Sequence, residues 1–139
     1  MLNKPTKLIS FLTLCAVSSF AFAGSQTYSV TAYPNENKTS YPELTIPAGE
    51  TVTITVITSC SKPGGNNQND ICFANGWAGG NQAGVTGYDV RTVDYTDKTN
   101  TQVQTFTSDG STFYMGVEAY TNDSYGSGLI AETTVIVNW

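Results

Sequence analysis

Along most of the chain, apolar and polar residues alternate one by one. The clearest run is Thr51 to Thr58 (TVTITVIT), with Val52, Ile54 and Val56 on one face and Thr51, Thr53 and Thr55 on the other. One apolar and one wetted face is the pattern of an antiparallel sheet. Tyr28–Tyr33, Pro42–Ile46, Tyr88–Tyr95, Phe113–Tyr120 and Ile130–Trp139 repeat it, and Gln102–Thr107 does so with a slip in the alternation that places both Val103 and Phe106 near the core. Between them, Asn35–Ser40, Ala48–Glu50 and Asp97–Asn100 read as turns. Ser108–Ser111 reads as a hairpin-type turn in which Gly110 supplies a positive φ. Nowhere do apolar residues recur at helical spacing over three turns. The pattern predicts an all-β domain: a single antiparallel β-sandwich or jelly roll of about seven to eight short strands.

One stretch departs from the alternation. Cys60 to Gly84 (CSKPGGNNQNDICFANGWAGGNQAG) is rich in Gly, Asn and Gln, and reads as one long irregular loop. Loops beyond about 12–15 residues without secondary structure of their own are uncommon in compact domains, and many are functional.

The amino-terminal residues are patterned differently. Lys4 and Lys7 precede an apolar run from Leu8 to Phe22, and Ala21-Phe22-Ala23 gives a small-x-small cleavage pattern before Gly24. Residues 1–23 are therefore expected to be a cleaved signal peptide. Residues 24–139 are expected to be one domain, secreted to the periplasm or the extracellular space. That domain carries Lys38, Lys62, Arg91 and Lys98 against eleven acidic residues, a net charge of −7. Such a surface repels phosphate backbones, which argues against nucleic acid as a partner. No run is long and apolar enough for a transmembrane segment. In an oxidising compartment, Cys60 and Cys72 are expected to form a disulfide.

The chain has no histidine, which removes Ser-His-Asp and Cys-His catalysis and most zinc sites. The acidic residues stand outside apolar runs, except Glu118 in Met-Gly-Val-Glu-Ala-Tyr, where alternation puts it on one face with Gly116 and Tyr120. No enzyme is expected. Binding remains. Sugars offer hydroxyls around the ring edge and C–H groups on a face, which amide side chains and an aromatic platform match. The long loop holds Asn69, Asp70, Phe73 and Trp77 for this purpose. The alternative is that Phe73 and Trp77 fold inward to cover one end of the sandwich. A second loop, Asn122–Gly128 (NDSYGSG), offers hard oxygen ligands for calcium at Asn122, Asp123 and Ser124.

These features together resemble the small galactophilic bacterial lectins of the PA-IL type, which are calcium-dependent jelly rolls. The resemblance is carried by Leu44-Thr-Ile-Pro-Ala-Gly-Glu-Thr-Val-Thr-Ile-Thr-Val56 and by the Asn-Asp loop before the last strand. It implies Asp123 as a carboxylate ligand of Ca2+, with the Ser124 carbonyl beside it, and calcium bridging to sugar hydroxyls. Two asparagines of the family's motif are Ser127 and Gly128 here, and its sugar-contacting histidine has no counterpart.

A shorter stretch, Val117-Glu-Ala-Tyr120 with Gly126-Ser-Gly128, is similar to part of the thermostable direct haemolysins. The expected function is a secreted, lectin-like carbohydrate-binding protein acting in adhesion or in recognition of a host or surface glycan. Its partner would be a glycan or glycoconjugate, and homo-oligomers stay open. The alternatives are a pore-forming toxin and a structural subunit of an exported assembly.

Overall fold

A computed structural model of the protein describes residues 24–61, 70–80, 84–92 and 98–139, with the backbone alone for 84–92 and 98. The expected signal peptide and Asn69 lie outside the described residues.

Nine strands make up the described chain: β1 (Ser25–Ala32), β2 (Asn37–Ser40), β3 (Glu43–Thr45), β4 (Thr51–Ser61), β5 (Ile71–Gly79), β6 (Gly84–Thr92), β7 (Lys98–Thr107), β8 (Thr112–Asn122) and β9 (Ile130–Asn138). They form two antiparallel sheets. The first runs β1-β9-β4-β7; the second runs β2-β8-β5-β6, with β3 also paired to β8. β2 and β3 act as one edge strand interrupted at Tyr41-Pro42, where proline has no N–H to give a ladder. Counted so, eight strands follow the jelly-roll path, and only β5 and β6 are sequential neighbours in one sheet.

Alternation decides which side chains face inward. Val52, Ile54 and Val56 of β4 meet Val135 and Val137 of β9 and, from the other sheet, Ala78, Phe113, Met115 and Val117. Each such aliphatic side chain contributes about 1.5–3 kcal/mol by leaving water. Phe106 and Phe113 close one end edge to face, with ring centroids 6.1 Å apart. The other end is filled by Ala32, Ala74, Ala119 and Ala131 with Leu129 and the Cys60–Cys72 disulfide, which ties the end of β4 to the start of β5.

Several expectations need correction. Cys60–Gly84 is not a single loop, because Ile71–Gly79 is the strand between β8 and β6. Its inward positions are Cys72, Ala74, Gly76 and Ala78, and its large residues point outward. The usual apolar signal is thereby inverted. The inward residues must be small because the sheets approach closely: a Cβ on Gly76 would lie 2.5 Å from Val56 Cγ1 and 3.0 Å from Thr133 Cγ2.

Asn37–Ser40 and Lys98–Asn100 are strand rather than turn, drawn in by pairing with β8 and β4. Val103 stands on the outer face, 60% exposed, because its register partner Thr55 faces outward. Gly110 has φ of 86°, as expected of the turn, but the Ser108–Ser111 segment joins β7 to β8 across the two sheets and closes no hairpin.

Candidate functional site

The outer faces of the two sheets differ in chemistry. That of the four-stranded sheet is rich in hydroxyls, including Ser25, Thr27, Ser29 and Thr31 of β1, Thr53 and Thr55 of β4 and Thr99, Thr101 and Thr105 of β7, with Ile57, Val103, Glu132 and Ile136 among them. Among the described residues of those strands it carries no aromatic ring. The outer face of the five-stranded sheet carries Phe73, Asn75 and Trp77 on β5, and Tyr114, Gly116, Glu118 and Tyr120 on β8. Of the five tyrosines exposed among the described residues, Tyr41, Tyr114 and Tyr120 border this face.

Register sets the layout. Phe73 lies opposite Tyr120, Asn75 opposite Glu118, and Trp77 opposite Gly116; on the far side of β8, Asn37 faces Tyr120 and Thr39 faces Glu118. Directly opposed residues are the closest side-chain neighbours in a sheet. The Trp77 indole therefore lies over Gly116, so closely that a Cβ there would overlap the ring, at 2.1 Å from Nε1. Glycine at that position lets the indole lie down on the sheet as a flat, half-buried platform.

Glu118 sits at the centre. Its Oε1 accepts a 2.9 Å hydrogen bond from the Tyr41 hydroxyl, and its Oε2 accepts one of 3.1 Å from Asn75 Nδ2. The bond to Glu118 raises the Tyr41 pKa above its ordinary value, helped by partial desolvation and the carboxylate's charge and opposed by Thr39. Tyr41 therefore stays a hydroxyl donor. Thr133 Oγ1, from the opposite sheet, donates to the Glu118 carbonyl at 2.7 Å and pins β8 at this position. Beside the carboxylate, a depression of about 340 Å³ is lined by Asn37, Thr39, Tyr41, Phe73, Glu118 and Tyr120.

The sequence-predicted residues are divided by the fold. Phe73 and Trp77 share the outer sheet face. They neither sit in a loop nor cover the end of the core. Asn122, at the end of β8, is on the same face opposite Ile71, and its Oδ1 accepts from Ser124 Oγ at 3.1 Å. Asp70 and Asp123 are buried and serve the β8–β9 loop. Asp70 accepts from the Ser124 N–H (3.0 Å) and from Ser127 Oγ. Asp123 accepts from the N–H groups of Ser127 and Gly128, both at 2.7 Å. Burial pushes the Asp123 carboxyl up, but the backbone N–H groups of Ser127, Gly128, Leu129 and Gly126 outweigh it and hold the pKa below the usual aspartate value. Asn35, at φ 63°, clasps Asp123 from the other side through its N–H and carbonyl.

That donor set does not fit a calcium ion, which takes about six to eight oxygen ligands. The carboxylate oxygens of Asp70 and Asp123 are aimed at N–H and O–H donors of their own loop. Among the described residues, no three His, Cys, Asp or Glu side chains stand close enough to share a metal. Tyr41, Asn37 and Thr39 are the members of the outer-face site that sequence reasoning missed. They fall in a stretch taken for a turn and beside the proline that interrupts the edge strand.

No family model matches the chain, and no curated protein matches it. Among solved structures it is similar to that of infectious bursal disease virus Gx strain, at 14% identity, with a TM-score of 0.39, covering 99% of this chain and 37% of that one. The infectious bursal disease virus Gt strain structure gives 12% and 0.37, again over 37% of that chain. Against T=1 particles of a D431N mutant VP2 protein of the same virus, the values are 13% and 0.30, over 41% of that chain.

Proposed function

We propose that this is an exported carbohydrate-binding protein, and that it binds sugar on the outer face of its five-stranded sheet. The supporting observation is the row on β5: two outward aromatic residues, Phe73 and Trp77, flank Asn75, which is hydrogen bonded to Glu118 on the next strand. A pyranose presents C–H groups on one face and hydroxyls at its rim. The Trp77 indole offers the matching platform, and Asn75, Glu118 and Thr39 offer donors and acceptors at its edge. Neighbouring strands hold every member, so little conformational entropy is lost on binding. The site needs no calcium, and a role in adhesion to glycan-bearing surfaces follows from binding without chemistry.

A glycan array probed with purified protein, in calcium and again in EDTA, tests this. Binding to a related set of glycans that survives EDTA is the expected result. Trp77→Ala should abolish it while lowering stability by about 1–2 kcal/mol, well below the roughly 3–5 kcal/mol of a truncated core aromatic. No binding in either buffer, or binding that EDTA removes and Trp77→Ala leaves intact, would contradict the proposal.

A further inference from the structure

The depression beside Glu118, which lies two residues along β8 from the Gly116 that Trp77 covers, has a character that a site for neutral sugars does not require. Its floor carries a carboxylate, Glu118, and its walls include Tyr41, Phe73 and Tyr120. A carboxylate has about four acceptor positions. Two are filled, both by neutral donors, the Tyr41 hydroxyl and the Asn75 amide. Lys38 is the only lysine or arginine whose side chain is described, and it pairs with Glu36 at 3.6 Å. The negative charge is therefore met by hydrogen bonds without a described counter-cation. Ring walls favour the same guest, since the π-systems of Tyr and Phe attract a nearby cation. An ammonium group supplies both the charge and the N–H donors that no described residue gives to the remaining acceptor positions.

We infer that the Glu118 depression recognises the free amino group of an amino sugar, as in glucosamine oligomers. This rests on the carbohydrate reading above and names its ligand class. The sugar ring lies on Trp77 and its protonated amine enters the depression, between Tyr41, Phe73 and Tyr120, to pair with Glu118. Acetylation removes the charge and adds bulk, so N-acetylated oligomers lose this contact and keep the ring stacking and the hydrogen bonds at the ring edge. The pairing is half-exposed and weakens as salt screens it.

The test is calorimetric titration of the intact protein with glucosamine oligomers, N-acetylglucosamine oligomers and tetramethylammonium, at low and high salt. At low salt the unsubstituted amine should bind at least tenfold tighter than its acetylated counterpart, and high salt should narrow the gap. Glu118→Gln should erase that preference, lowering affinity for the unsubstituted oligomer at least tenfold and affecting the acetylated oligomer far less. Glu118→Asp, which keeps the charge but withdraws it, should reduce the preference in part and controls for folding.

Equal or tighter binding of the acetylated or another neutral sugar would overturn the amino-sugar assignment and leave the carbohydrate reading standing. Binding of tetramethylammonium with neither oligomer bound, or no binding of any probe, would overturn the amino-sugar assignment, while the carbohydrate reading falls only if the glycan array is also blank.

Discussion

Trp77 and Gly116 form one unit: the indole has room to lie flat only because its cross-strand neighbour lacks a Cβ. Gly116→Ala is therefore expected to lift the ring off the sheet without reaching the core, since position 116 faces outward. Sugar affinity should fall tenfold or more with only a small change in thermal midpoint, and the tryptophan fluorescence should shift as the indole is displaced. A midpoint loss as large as that of a core variant would mean the indole supports the fold and not a ligand. Asp123 is the opposite kind of residue, important to its own loop. Its folded-state pKa lies below the unfolded value, so its contribution is complete above about pH 4 and is lost as pH falls through the folded value. Asp123→Asn should cost about 1–3 kcal/mol at pH 7 by weakening charge-assisted bonds to Ser127 and Gly128. Urea melts of the two proteins should converge as the pH falls below the folded value. A pH-independent gap would assign the loss to packing.

β5 carries the site and is also the element least visible in the sequence. Its inward positions are Cys72, Ala74, Gly76 and Ala78, while Phe73 and Trp77 face out, so a search for large apolar residues at alternate positions passes over it. β4 and β9 were legible because their inward residues are valine and isoleucine, as in Val52, Ile54, Val135 and Val137. The disulfide was legible from the two cysteines left in a chain expected to be exported, and it proves to be part of the core at the end where alanines leave little else to bury. Removing it with Cys60→Ala and Cys72→Ala should lower stability by roughly 3 kcal/mol, the loop-closure value for a ring of this size. A denaturant midpoint unchanged by the double substitution would show the alanine-filled end to be self-sufficient. The site itself was half legible. The facing of Glu118 with Gly116 and Tyr120 could be read from the chain, whereas Phe73 and Trp77 stood out only as aromatic residues of an expected loop, with their facing left open. That β2 would bring Asn37 and Thr39 alongside them could not, because that contact joins residues some 80 positions apart and depends on strand order.

At the scale of the whole molecule, the jelly roll presents two unlike outer faces, one rich in hydroxyls without aromatic rings on its described strand residues and one with aromatic rings around a carboxylate. Sheet register, rather than a loop, fixes the second face, and the inter-sheet bond from Thr133 to the Glu118 carbonyl ties it to the core. The measurement that tests this most directly is an NMR titration of the protein with its best-binding glycan, following the side-chain N–H signals of its two tryptophans and the amides of β5, β8 and the β8–β9 loop. The Trp77 indole signal and the amides of Phe73, Asn75, Glu118 and Tyr120 should move together, with Trp139 still. Shifts confined to Asn122–Gly128, with the Trp77 signal unmoved, would place the ligand on the loop and contradict the account.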